Sequence, residues 1–117
     1  MRLGNAAWGY REIPLEEQLR ITSAMGLDLL ELSIVDHPNN FLQLDSTPEQ
    51  IAKVKELFAK YNIELSCTST SSDFTRSNKK DNIASMQNVF RVIDICTGLN
   101  ATWLRIFAGF SPVAEIT

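Results

Sequence analysis

Two rhythms of apolar residues alternate along the 117-residue chain. Stretches with period two, or a short aliphatic run, read as strands: "LDLLELSIV" (27–35), "IELSCTST" (63–70) and "ATWLRIF" (101–107), with "RLGNAAW" (2–8) as a shorter one. Between them apolar residues recur at helical spacing, the mark of a helix with one buried face. In "IPLEEQLRITSAMG" (13–26) the stripe is Leu15, Leu19, Thr22 and Met25. Pro14 suits its first turn, Glu16 and Glu17 lie near its positive end, and Gly26 stops it. In "TPEQIAKVKELFAKYN" (47–62) Thr47 is the N-cap, Pro48 takes the first helical position and Gln50 is placed to close a capping box. Ile51, Val54, Leu57 or Phe58, and Tyr61 share its inner face, Lys53, Lys55, Glu56 and Lys60 its outer one, and Asn62 ends it. A polar loop (71–81) leads into "NIASMQNVFRVIDICTGLN" (82–100), with Met86, Val89, Phe90, Ile93 and Cys96 expected inward and Gly98 at the end.

The order β-α-β-α-β-α-β predicts one domain over residues 1–117, with parallel strands joined by right-handed crossovers. A doubly wound sheet carries helices on both faces, so its strands read as continuous aliphatic runs; a (β/α)8 barrel carries helices on one face and turns the other inward. Side chains alternate along a strand, so the faces can be sorted. Leu30, Leu32 and Ile34 oppose Leu29, Glu31 and Ser33. Ile63, Leu65 and Cys67 oppose Glu64, Ser66 and Thr68, and Leu104 and Ile106 oppose Trp103, Arg105 and Phe107. Each strand has one aliphatic and one mixed face, which favours barrel geometry. A full barrel needs eight strands and about 250 residues. The fold class is therefore α/β, a parallel (β/α) half barrel of four strands and three helices, a fragment of a TIM-type (β/α)8 barrel. "GNAAWG" (4–9) lacks the G-x-G-x-x-G spacing, so dinucleotide binding gains no support.

Composition narrows the function. An apolar share of 44% and a charged share of 21% are ordinary for a globular domain. A net charge of −3 without any Lys/Arg run argues against nucleic acid as a partner, and "NKK" (78–80) reads as a solvated loop. No apolar stretch approaches the roughly 20 residues that cross a bilayer, and the N-terminus has no apolar leader core, so no membrane partner and a cytoplasmic location are expected. The two cysteines, Cys67 and Cys96, fall in strand and helix interiors as small buried hydrophobes, a disulfide being the alternative. Cys67 has no cationic sequence neighbour to lower its pKa, which argues against a nucleophile. His37, the single histidine, has only Asp36 beside it and reads as a loop residue rather than a base or metal ligand.

The run "AMGLDLLELS", then "TPEQIAKVKELFAKYNIELSCTS", then "WLRIFAG", after a short strand ending near a tryptophan, resembles the xylose isomerase-like TIM barrel family. That group holds sugar isomerases, sugar-phosphate epimerases, hydroxypyruvate isomerase-like and inositol-catabolism proteins, with an endonuclease IV branch beside them. The resemblance covers essentially the whole chain. It implies an aldose–ketose isomerisation or epimerisation assisted by a divalent ion, Mn, Mg or Zn, whose ligands sit on strands after the fourth. No cofactor, metal ligand or catalytic residue is therefore expected within these residues. The endonuclease-like branch is disfavoured by the acidic charge balance.

The resemblance implies substrate-binding roles for Glu31 on the second strand and Arg105 on the fourth, with Trp8 and Phe107 as apolar walls. Read from the residues alone, Glu31 is either a pocket-wall carboxylate or a structural partner of an arginine. Arg105 either holds a phosphate or carboxylate in a bidentate contact or pairs with Glu31 or Glu64. Trp8 and Phe107 are otherwise core fillers. The expectation is the N-terminal half of a sugar or sugar-phosphate isomerase or epimerase, inactive alone. Its first and fourth strands would be open edges, so association with the missing half or with a second copy is the alternative role.

Overall fold

The computed structural model describes residues 1–110 except Arg11 and Asn39. The loop read as starting at Ser111 lies outside the described residues. The element order is β1 (Asn5–Ala6), a 3-10 turn (Ala7–Tyr10), α1 (Leu15–Ala24), β2 (Leu29–Ser33), α2 (Pro48–Lys60), β3 (Glu64–Ser69), α3 (Lys79–Leu99) and β4 (Leu104–Arg105). All pairings are parallel, and the strands lie in the order β1-β2-β3-β4. Over the described residues the chain is thus an α/β protein with a four-stranded parallel sheet and three helices.

Sequential order means that every crossover steps one strand in the same direction. Right-handed crossovers then put all three helices on one face, and a single core fills the space between helices and sheet. Leu15 and Leu19 of α1, Leu30 and Leu32 of β2, Val54, Leu57 and Phe58 of α2, and Val92, Ile95, Cys96 and Leu99 of α3 are buried in it. Burying one such side chain stabilises the fold by about 1.5–3 kcal/mol, so these aliphatic positions dominate the energetics.

Local chemistry accounts for the helix ends. Thr47 Oγ1 accepts from Gln50 N at 3.3 Å while Gln50 Oε1 accepts from Thr47 N at 2.8 Å, the reciprocal capping box of α2. Gly26 follows α1 at φ +76°, and Asn62 follows α2 at φ 53°. Both are residue types that tolerate the left-handed region. Exposed pairs join neighbouring elements: Lys60 Nζ and Tyr61 Oη both reach Glu16 of α1.

Several expectations change. Met25 is 56% exposed and lies outside the stripe of α1, where Gln18 is buried instead, donating to the carbonyls of Tyr10 and Ile13. The first strand shrinks to two residues because it pairs with β2 only at Leu30 and Glu31. The fourth does the same, pairing only at Thr68 and Ser69, and Trp103 and Ile106 beside it are exposed rather than buried. α3 starts earlier, on an Asn78 side-chain cap, and runs through Gly98 to an Asn100 terminus at φ 58°. Gly98 is there for closeness: a Cβ would stand 3.2 Å from Ile51 of α2. The inward face of α3 is Val92, Ile95, Cys96 and Leu99, whereas Met86, Phe90 and Ile93 are exposed.

The largest correction concerns β3. Its register with β2 shifts by one residue, with Leu30 opposite Leu65 but Leu32 opposite Thr68. Ser66 and Cys67 together face Glu31, which is a β-bulge. Beyond it the alternation inverts. Cys67 turns to the mixed face with Glu31, and Thr68 turns into the core, its hydroxyl against Cys96 Sγ. Both cysteines are free.

Candidate functional site

Parallel strands all present their C-terminal ends at the same edge, and there the side chains of the mixed face gather. Glu31 of β2 accepts two bonds from Arg105 of β4: Nη2 to Oε1 at 2.8 Å and Nε to Oε2 at 3.3 Å. The Cys67 thiol donates to Glu31 Oε2 at 3.0 Å. The guanidinium also stands 5.1 Å from the centre of the Phe107 ring, within cation–π reach. Glu64, the other partner weighed for Arg105, begins β3 at the opposite edge and pairs with Arg2 at 2.9 Å.

The electrostatics follow from this contact set. The Arg105 guanidinium, more than anything else, holds the Glu31 carboxyl below the usual carboxylate range; burial opposes it, and the Cys67 thiol and Ser69 hydroxyl add to it. Burial, then the Glu31 charge, pushes the Cys67 thiol up to about 11, so near neutrality it is a protonated donor with no nucleophilic character. A carboxylate so firmly ionised is a poor proton acceptor near neutrality. The arrangement is suited to holding hydrogen-bonding groups, and nothing in it is tuned for proton transfer.

Above the pair lies a cavity of about 340 Å³, lined by Trp8, Ser33, Ser69, Arg105, Phe107 and Phe110 among others, at the small end of the ligand-pocket range. Three of the four residues singled out from sequence, Trp8, Arg105 and Phe107, meet in its wall, and Glu31 joins them through Arg105. Trp8 arrives on the 3-10 turn rather than on a strand, 54% exposed.

The rim is held by continued pairing beyond β3 and β4. Thr70 N donates to Arg105 O, Ser72 Oγ accepts from Phe107 N at 2.8 Å, and Phe74 N donates to Ala108 O. Gly109 closes against this loop, since a Cβ there would lie 2.2 Å from Thr75 Oγ1 and 2.5 Å from Asp73 Oδ1. A second cavity of about 350 Å³ adjoins the first, sharing Val35, Thr70, Ser71 and Phe110 and adding Asp36, Asp73, Arg76, Ser85 and Asn88.

The sequence reading missed Ser33, Ser69, Ser71 and Phe110 as lining residues. The available signal was "SCTSTSS" (66–72), a run of small hydroxyl residues leaving the C-terminal end of a strand. His37 stands apart from this wall, where its carbonyl oxygen accepts from Asn40 N and Gln43 Nε2. Among the described residues no three His, Cys, Asp or Glu side chains gather as a metal ligand set. No helix among the described residues is long and apolar enough to cross a membrane. No model of a known protein family and no curated protein matches the chain.

Proposed function

We propose that this chain is the substrate-wall half of a (β/α)8 barrel of the xylose isomerase-like kind, binding a small sugar or sugar phosphate at the C-terminal edge of its sheet. The observation that carries the reading is the cavity over the Glu31–Arg105 pair, at the C-terminal end of four parallel strands in sequential order. A doubly wound sheet reverses its strand order and binds at the reversal; a barrel never reverses, and its ligands sit where this cavity lies. Aromatic walls and clustered hydroxyls suit a ligand that is apolar on its C–H faces and polar at its rim. The half binds and does not turn over; isomerisation or epimerisation requires the metal-bearing strands of the complete barrel.

Backbone amide shifts of Ser33, Ser69, Arg105 and Phe107 report on the cavity. Titration with a panel of monosaccharides and their phosphate monoesters should move them saturably. A panel that moves none of them sinks the reading. Calorimetry with Mn2+, Mg2+ or Zn2+ checks the other half of the claim, since tight stoichiometric metal uptake by this chain contradicts it.

A second reading, an assembly unit, is favoured by one observation. Ile83, Met86, Phe90 and Ile93 are all exposed and spaced to form one stripe on α3. The side of α3 that meets α2 is marked by Gly98 against Ile51 and by Arg91, which donates to Leu44 O and Ser46 O. The stripe lies nearly opposite the buried face of Val92, Ile95, Cys96 and Leu99, so it points outward from the helix layer. An exposed apolar helix stripe of this kind is a surface for a second copy or a further element. Sedimentation showing a stable monomer at high micromolar concentration would remove this reading and leave the first standing.

A further inference from the structure

The two adjoining cavities each hold one guanidinium, and both are already matched. Arg105 is paired to Glu31 at 2.8 Å and Arg76 to Asp73 at 2.9 Å. In each pair the carboxylate is the enclosed partner, 14% and 13% exposed, and the guanidinium the open one, 47% and 58% exposed. Asp36 lines the second cavity as well, its Oδ1 accepting from Leu44 N. Asp36 and Asp73 balance Arg76 and Arg105 in the described lining, and Glu31, behind Arg105, adds one further negative charge beside it. Among these residues no cation is left over for an anion.

This pattern separates two ligand chemistries. A phosphate monoester carries only acceptor oxygens and close to two negative charges, so it has to displace a carboxylate from its guanidinium or sit beside it against repulsion. Neither carboxylate is free to swing into water. A hydroxyl group both donates and accepts, so it can accept from an unused guanidinium N–H and donate to the neighbouring carboxylate without breaking the pair. Ser33, Ser69, Ser71 and Ser85 extend the same two-way bonding along the walls, and Trp8, Phe107 and Phe110 offer ring faces to C–H groups.

We propose that the joined cavities take a neutral, unphosphorylated polyhydroxylated ligand and discriminate against its phosphate monoester. This rests on the sugar-binding reading above and selects within it. The probes are D-fructose, D-glucose and myo-inositol, each beside its phosphate monoester, titrated while the indole resonance of Trp8 is followed. Trp103, which does not line the cavity, is the internal reference. The neutral compounds should move Trp8 saturably, with binding of the monoesters weaker by about tenfold or more. Glu31→Gln releases Arg105, and Asp73→Asn independently releases Arg76; each should narrow the gap by admitting the monoester. Monoesters that bind the unaltered chain as tightly as the neutral sugars overturn the inference and leave the sugar site intact. Variants that keep neutral-sugar binding but leave the gap unchanged overturn it too, because charge is then not the selector. If no compound of either kind moves Trp8, the sugar-binding reading falls with it.

Discussion

Replacing Arg105 by methionine separates the two partners of the central ion pair by what each leaves behind. Glu31 is 14% exposed and Arg105 47%. Arg105→Met strands an ionised carboxylate that has already lost most of its water, whereas Glu31→Gln strands a guanidinium that half faces solvent. Methionine keeps the length of the stem and its packing against Phe107. Stranding one partner of a fully buried pair costs about 3–5 kcal/mol, while an exposed pair is worth about 0.2–1 kcal/mol. Glu31 retains the Cys67 thiol as a donor, so Arg105→Met should fall between these limits, at about 2 kcal/mol. Glu31→Gln should cost about 0.5–1 kcal/mol. Urea unfolding followed by circular dichroism gives both values from the shift in midpoint.

The same pair of proteins carries a pH signature. The folded-state pKa of Glu31 is depressed, first by Arg105. Its contribution to stability is therefore present above the unfolded carboxylate value, about 4.3, and is lost as pH falls through the lower folded value. The stability advantage of the unaltered chain over Arg105→Met should be full at about pH 7 and shrink below about pH 4. Equal costs for the two substitutions, or a difference indifferent to pH, refutes the argument that the carboxylate is the trapped partner.

Three further outcomes are expected. Ile95→Ala, at a site with no exposure, should cost about 2–5 kcal/mol in urea unfolding, while Ile93→Ala, two residues away and 45% exposed, should cost well under 1 kcal/mol. Cys67 should react slowly with a disulfide reagent below about pH 9 and faster toward its pKa of about 11. Because that pKa is raised on folding, the thiol's contribution to stability is whole below the unfolded value and is lost as pH climbs through the folded one; unfolded chain in urea should react at the ordinary rate. Thr47→Ala removes the side-chain half of the capping box and should lower stability by about 1 kcal/mol, read from the same unfolding curves.

The start of α2 and the sheet edge at which Arg105 stands were legible because one local rule acted alone at each. Thr47, Pro48 and Gln50 specify the start of α2 by themselves, and the position of Arg105 late in a strand with an aliphatic opposite face placed it at the correct edge. Ambiguity arose where two patterns were equally good. α3 is apolar on two flanks, and both Ile83–Met86–Phe90–Ile93 and Val92–Ile95–Cys96–Leu99 satisfy the helical period. What selects the second is tertiary: Gly98 must meet Ile51 and Arg91 must reach the carbonyls of Leu44 and Ser46. Gly98 read as a stop for the same reason, since a close approach to another helix leaves no trace in the sequence around it. The partner of Arg105 was ambiguous between Glu31 and Glu64 only until strand direction entered. In a parallel sheet Glu64, first in β3, belongs to the N-terminal edge with Arg2, and Glu31, later in β2, belongs to the edge that carries Arg105.

The β3 bulge is where sequence alternation fails and where the site acquires its character. Strict alternation would bury Cys67 among aliphatic side chains and leave Thr68 on the mixed face. One extra residue opposite Glu31 exchanges them. Thr68 then spends its hydroxyl inside, on the Trp103 carbonyl and Cys96, where an unpaired hydroxyl would cost free energy. Cys67 becomes a donor to the same oxygen of Glu31 that receives Arg105 Nε. The carboxylate is thus oriented from two sides by groups that keep their protons near neutrality, and neither its charge nor its direction is free to change there. The bulge therefore decides which side chains meet Glu31: without the extra residue Cys67 would lie in the core and the carboxylate would keep Arg105 alone as its charged or thiol donor.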